Sequence, residues 1–232
     1  MERKNFLIAI LLLIAGCAQA KDFDYGMKQI DGLDSKYNSS SEIYPKNIKD
    51  IEQMLGDLSR LKSAKLRSGQ EQFDYAIGYR ELNLEAEKIY IQSQKYGDAG
   101  TTKKGFGCKL RPLILESAHL RNQSALKGFE AVGLLIEFVG KYPKESKLAG
   151  LSEKNALFLN ATFYQISKDA SKDSNIIDYF CPENVTLEIY RQQFKKEGGL
   201  SEDKIKSLTY DEAVGIWKKE SGIDENGIKE AN

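Results

Sequence analysis

The sequence predicts an all-α protein, and three observations support that prediction. Apolar residues recur at spacings of three and four along most of the chain after residue 47, as they do on the buried face of amphipathic helices. No β-hairpin signal or run of alternating apolar and polar residues indicates a sheet. Helix-start signatures precede the later apolar runs, including a capping box at Thr209-x-x-Glu212. We therefore expect a bundle of about six or seven helices.

Two helices are predicted first. The first ends at Ser68-Gly69, and its apolar face consists of Ile48, Ile51, Leu55, Leu58 and Leu61. The second ends at Gly97 and Gly100, and its seam consists of Tyr75, Tyr79, Leu82, Ala86, Ile89, Ser93 and Tyr96. A Gly- and Lys-rich stretch over residues 97–109 leads to the next helix.

The third predicted helix begins near Pro112 and runs to about Tyr142. Because 125–139 is apolar on nearly every side, we expect this helix to be the central one. Small residues on it should let a neighbouring helix approach closely: Ser117, Ser124, Gly128 and Ala131.

The C-terminal half contributes the remaining helices. Ser152 caps a fourth helix, which is followed by a polar hinge over 168–175 and by a segment, 176–180, too short to assign. A fifth helix covers 183–196 and stops at Gly198-Gly199. Two cap signatures then start short helices, and Gly222 ends the last one: Ser201 with the Leu200/Ile205 pair, and Thr209 with Glu212.

The N-terminus has the arrangement of a secretory signal. Arg3 and Lys4 precede a short apolar run, 6–15, that ends in Ala15-Gly16-Cys17. This ending resembles the lipobox of prokaryotic lipoproteins, and the resemblance covers residues 1–17 only. It implies that Cys17 becomes the first residue of the mature chain and receives acyl chains such as palmitate. The protein would then be anchored outside the cytoplasm, on the cell membrane or an outer membrane.

An alternative is a soluble secreted protein cleaved after Ala20, because Ala18-Gln19-Ala20 also has the small-x-small pattern. With the lipobox, the chain divides into a signal peptide (1–16), a lipidated cysteine with a flexible polar tether (17–46), a helical domain (47–222) and a polar C-terminal tail (223–232). A flexible tether of that length holds the domain on the order of 30 Å from the membrane.

Charge and cysteine usage restrict the partners and the compartment. The chain has 34 basic and 34 acidic residues, which gives no indication of nucleic-acid binding. Besides Cys17 it has Cys108 and Cys181, and an oxidising compartment favours a disulfide between them. Two separate buried thiols are the alternative.

The sequence lacks an obvious catalytic set. Its single histidine, His119, follows Glu116 at the spacing of half a di-metal motif, but no second histidine exists, so we predict no metal, no cofactor and no catalysis. An enzyme that acts on envelope glycans with carboxylates alone is one alternative, with Glu116, Glu130 and Glu137 on the central helix. A small-ligand carrier with an apolar cavity is another.

Candidate ligand-binding residues fall into two groups. A basic cluster beside the cysteines suits an anionic polymer or lipid headgroup: Lys103, Lys104, Lys109 and Arg111. Tyrosines of the second helix could offer stacking surfaces for a sugar or peptide: Tyr75, Tyr79, Tyr90 and Tyr96, of which Tyr75 and Tyr79 are the leading candidates. Four Asn-x-Ser/Thr sites begin at Asn38, Asn122, Asn160 and Asn184, most of them attributable to chance. The sequence thus predicts a lipid-anchored, non-catalytic binding or scaffolding module of the cell envelope, with the membrane and an envelope protein or cell-wall component as partners.

Overall fold

The computed structural model describes residues 22–40, 44–100, 107–224 and 227–228. The described residues contain nine α-helices, seven of them longer than six residues, so the predicted all-α bundle is confirmed. The helices are α1 (Phe23–Tyr37), α2 (Ile48–Lys62), α3 (Gln70–Gly100), α4 (Arg111–Lys141), α5 (Pro143–Leu148), α6 (Glu153–Phe180), α7 (Glu183–Glu197), α8 (Glu202–Ser207) and α9 (Tyr210–Glu220), with a 3₁₀ turn at Cys108–Leu110.

The antiparallel pair α3 and α4 forms the scaffold. Each helix has 31 residues and is therefore about 46 Å long. The Ser124 hydroxyl donates to the carbonyl of Ala86 at 2.7 Å, and the Ser117 hydroxyl donates to the carbonyl of Ser93 at 2.9 Å. Both serines are buried, and side chains this small let the two helix backbones come close. The prediction for the small residues of the central helix is confirmed.

Helix α6 packs along another side of α4. The Phe163 ring lies directly on the α4 backbone at Gly128, so that a Cβ added to this glycine would overlap the ring. The predicted hinge over 168–175 is wrong, because α6 is one helix from Glu153 to Phe180. Phe163, Ala170 and Ile177 are all buried at spacings of seven, so one continuous apolar face runs through the polar stretch.

The predicted flexible tether is wrong for residues 23–37. They form α1, with Asp22 as its N-cap and Phe23, Met27 and Ile30 buried in the main core. These apolar residues have spacings of four and three, but the polar residues between them mask the pattern. The side chain of Phe73 occupies the space beside Gly26, which fixes α1 along the start of α3.

A second core lies at the other end of α4, where α7, α8 and α9 pack around Tyr190 and Trp217. The Tyr190 hydroxyl donates to the carbonyl of Lys109 at 2.6 Å. Cys108 and Cys181 form the predicted disulfide, with Cα atoms 5.2 Å apart. The predicted capping box at Thr209 and Glu212 is present, and Gly198 and Gly222 end α7 and α9 at left-handed φ angles of 72° and 70°.

The C-terminal region is not simply a polar tail. Two short strands, β1 (Ile223–Asp224) and β2 (Gly227–Ile228), pair antiparallel. Residues 225–226 and 229–232 lie outside the described structure. In the part of the chain that the structure covers, none of the helices combines the length and apolar character that a membrane span requires.

Candidate functional site

The main candidate site is a cleft between α3 and α6, both of which pack on α4. It has a volume of about 410 Å³, within the usual size range of small-ligand sites. Four separate segments line it. They contribute Tyr44, Glu87 and Tyr90, Arg121, and an α6 face that includes Phe158, Leu159, Phe163, Ile166 and Asp169.

Glu87 is the distinctive polar group of the cleft. Its side chain is half-buried, and burial raises the pKa of its carboxyl group above the ordinary value. Among the described residues, no cation forms an ion pair with it. A carboxylate placed in this way lacks a counter-charge, and a cation that entered the cleft would stabilise its ionised form.

The cations and acids around Glu87 are already engaged. Arg121 forms an ion pair with Asp173 at 2.7 Å, which fixes the guanidinium toward α6. Asp169 accepts a hydrogen bond from the Gln165 amide at 2.9 Å. The Tyr44 hydroxyl accepts from the Asn83 amide at 2.6 Å, and burial raises the pKa of Tyr44, so this phenol stays neutral at physiological pH. None of these groups neutralises Glu87.

Aromatic rings make up much of the remaining surface. Phe163 is buried at the α4–α6 contact, where it meets Phe129 edge to face with ring centroids 6.4 Å apart. Phe158 is 58% exposed, although it lines the cleft. Tyr44 and Tyr90 line it as well. An apolar body can therefore be buried here beside a single negative charge.

A second groove lies on the seam between α4 and α6 and has a volume of about 440 Å³. Its walls are mainly apolar, with Ile136 58% exposed and Leu157 71% exposed, and Glu153 is its only charged lining residue. Gly133 and Gly140 of α4 also have open space where a Cβ would project. α4 is central as predicted, but it is not enclosed on every side.

The two predicted tyrosines do not form one stacking surface. Tyr79 is fully buried in the core, so its predicted ligand role is wrong. Tyr75 is half-buried: its ring stacks on Phe138 with centroids 5.8 Å apart, and its hydroxyl donates to Glu137 at 2.5 Å. Both rings serve packing because the α3–α4 contact covers this face of α3.

The predicted basic cluster is only partly described. Lys103 and Lys104 lie outside the described residues, as does Cys17. The Arg111 guanidinium donates to Asp178 at 2.8 Å and to the Tyr210 hydroxyl at 3.0 Å, so it ties α4 to α6 and α9. Lys109 is half-buried on the 3₁₀ turn. Arg111 is therefore a structural link and not a free anion ligand.

The predicted carboxylates of α4 are separated from one another. Glu130 pairs with Lys127 at 2.8 Å, Glu137 accepts from Tyr75, and Glu116 lines a different, polar pocket with Glu52. His119 is exposed, with its Nε2 atom 2.8 Å from the Gln123 amide nitrogen. No cluster of three potential metal ligands is found within the described ranges.

Comparison with known proteins adds no assignment. No protein family model, curated protein or solved structure matches this chain. The cleft must therefore be interpreted from its own geometry.

Sequence reasoning did not identify Glu87, Phe158 or Phe163 as site residues. The sequence does contain an indication for Glu87, because this residue directly follows Ala86 in the apolar seam of α3. A carboxylate at the edge of an apolar face costs free energy unless a cation or a hydrogen-bond donor pairs with it. The sequence could not show that the exposed residues Leu157 and Phe158 line clefts, because this depends on where the neighbouring helices lie.

Proposed function

We propose that this protein is a lipid-anchored, extracytoplasmic binding module of the cell envelope that binds its ligand without transforming it. The cleft between α3, α4 and α6 is the proposed binding site. The observation that supports it most directly is the half-buried Glu87, without an ion-pair partner among the described residues, in an aromatic-lined cavity of suitable size. The lipobox-like ending at Cys17 supports the anchor and the address.

The chemistry of the cleft specifies the ligand class. Aromatic rings bury an apolar or aromatic body, and Glu87 receives a cationic group, either an amine or a basic side chain of an envelope protein. A charge-assisted hydrogen bond of this kind contributes about 1.5–3 kcal/mol, which corresponds to roughly ten-fold or more in affinity. Anionic ligands are disfavoured because Glu87 and Asp169 both line the cleft.

Calorimetric titration of the full chain tests this proposal with two matched probes. Phenethylammonium has an aromatic ring and a positive charge, and 2-phenylethanol has the same ring without the charge. At pH 7 we expect the ammonium probe to bind at least ten-fold more tightly. Glu87→Gln should remove this preference, whereas Glu85→Gln, an exposed change two residues away, should preserve it.

Two results would count against the cleft as a cation site: equal affinity for the two probes, or an ammonium affinity that Glu87→Gln leaves unchanged. The anchor is tested separately by fractionation of cells that express Cys17→Ala. Loss of the protein from the membrane fraction is the expected result, and unchanged membrane association argues against lipidation at Cys17.

A second function is favoured by one specific observation: Glu87 and Asp169 are two carboxyl groups that line the same cleft, and burial raises the pKa of one of them. Glycan-cleaving enzymes use such a pair as acid and base. In that case Glu87→Gln would abolish the release of reducing ends from envelope glycans while glycan binding remained. If the native protein releases no reducing ends and Glu87→Gln loses its affinity for the ammonium probe, the results support the binding module instead.

A further inference from the structure

The start of α1 lies at a defined end of the bundle. A Cβ added to Gly69 would lie 2.7 Å from the Cβ of Phe23, so α1 begins beside the start of α3. At the same level Glu71 pairs with Lys141, the last residue of α4, at 2.5 Å. Asp22, Gly69 and Lys141 therefore mark one end of the molecule. Helix α5 begins two residues after Lys141 and so lies at the same end. We call this the anchor-proximal end.

The link from this end to the proposed anchor is short. Only Ala18, Gln19, Ala20 and Lys21 separate Cys17 from Asp22, the N-cap of α1. Five residue steps span at most about 18 Å, even when fully extended. A tether of some thirty residues would have left the domain free to turn, whereas this short link confines one end of it to the membrane surface.

The anchor-proximal end presents an amphipathic surface on α5. Lys147 and Leu148 follow Lys144 by three and four residues, which places both next to Lys144 on one side of the helix, and all three are exposed. Leu148 is 68% exposed, and no ion pair to either lysine is found among the described residues. Their acidic neighbour Glu145 is half-buried.

The rest of this end carries both signs of charge, so the cationic character is local to the exposed face of α5. Arg67, in the loop before α3, is exposed beside Gly69. Glu71 is neutralised by its ion pair with Lys141. The other exposed acids near this end are Asp24, Asp74, Glu137 and Glu153, of which Asp74 accepts a hydrogen bond from Gln70 and Glu137 accepts one from Tyr75. Cationic side chains around an exposed leucine fit anionic lipid headgroups with acyl chains beneath them.

We propose that the anchor-proximal end docks on the membrane, with Lys144, Lys147 and Leu148 in contact with anionic lipid headgroups, so that α4 stands away from the bilayer. This inference rests on the proposed lipid anchor at Cys17. It gives the molecule one orientation, in which the disulfide and α7–α9 lie at the far end, some 46 Å away along α4.

Quenching of tryptophan fluorescence by brominated lipids tests the orientation. Full-length protein, isolated from cells with any acyl chains that it carries, is reconstituted in vesicles of phosphatidylcholine, with or without 30 mol% (about one lipid in three) phosphatidylglycerol. Leu148→Trp reports on the anchor-proximal end, and Tyr179→Trp, at a position that is 79% exposed beside the disulfide, reports on the far end. The native Trp217 is buried and provides the common background.

We expect brominated lipids to quench Leu148→Trp, and to do so more strongly in vesicles that contain phosphatidylglycerol, while Tyr179→Trp stays unquenched. Each lysine near an anionic surface favours the docked state by about five-fold, so Lys144→Gln with Lys147→Gln should lower the ratio of docked to undocked protein by about 25-fold. The matched pair Lys195→Gln with Lys196→Gln, on exposed α7 sites, should have no effect.

The possible failures separate the two proposals. Protein that floats with the vesicles but is quenched equally at both positions, or is insensitive to the α5 lysine changes, overturns the orientation and leaves the anchor intact. Protein that does not float with the vesicles and whose mass shows no acyl chains overturns the anchor, and the orientation with it. Neither result bears on ligand binding in the cleft.

Discussion

The contact between Gly128 and Phe163 allows a quantitative test of how α6 is held on α4. At an open helical site, Gly→Ala stabilises a protein by about 1 kcal/mol because alanine restricts the unfolded chain and favours the helix. Gly133 is such a site, with open space where its Cβ would project. At Gly128 the new methyl group would overlap the Phe163 ring, and Phe129 packs edge to face against that ring and limits its movement. Overpacking costs about 3 kcal/mol at the upper end of its usual range.

We therefore expect Gly128→Ala to lower the free energy of unfolding by about 2 kcal/mol and Gly133→Ala to raise it by about 1 kcal/mol. Urea unfolding followed by circular dichroism, with the disulfide intact, measures both. Adding Phe163→Leu to Gly128→Ala should recover part of the loss, because the smaller side chain leaves room for the methyl group. Equal stability of the two alanine variants would refute close packing of α6 on α4, and with it the inner wall of the cleft.

Two further predictions concern Glu87 and the disulfide. Burial raises the pKa of Glu87 in the folded protein above its value in the unfolded chain, so the folded protein holds this proton more tightly. The free energy of unfolding therefore falls as the pH rises from the unfolded-state pKa through the folded-state pKa. Glu87→Gln should therefore raise the melting temperature at pH 7 but not near pH 4, and an equal effect at both would contradict the assignment. Cys108→Ser with Cys181→Ser opens a loop of 73 residues and should cost about 4 kcal/mol in urea unfolding, whereas a loss below about 1 kcal/mol would show that the link constrains little.

Helix periodicity and caps predicted most of the bundle, because they depend on residues that are close in sequence. The start of α6 at Ser152, the stop at Gly198 and the capping box at Thr209 all depend on one helical turn. The same local reasoning failed for α1, where Phe23, Met27 and Ile30 are the buried large side chains of an otherwise polar helix. α2 and α3 together bury them, and the sequence alone does not show which helices pack on α1.

The cleft could not be predicted for a related reason. Its lining comes from residues near 44, 87, 121 and 158–169, which meet only because α3 and α6 pack on neighbouring sides of α4. A heptad pattern shows which face of a helix is buried, but it does not show where two helices diverge and leave a gap. The prediction for Tyr79 was wrong in the opposite sense: we expected it to stack on a ligand, but its side chain is fully buried in the core.

The correction at α1 also changes what the proposed anchor does. A short link places the cleft at a set height, because Glu87 lies 17 residues after Gln70 and thus about 25 Å along α3 from the anchor-proximal end. In the proposed orientation the cleft would lie beyond the headgroup layer and face the aqueous phase, so a ligand would reach it from solution or from a neighbouring protein rather than from the bilayer. Under both proposals the lysine-bearing face of α5 and the cleft with Glu87 would have separate partners, anionic lipid for the first and a cationic group for the second. A protein with equal numbers of basic and acidic residues would achieve this by the placement of its charges and not by its net charge.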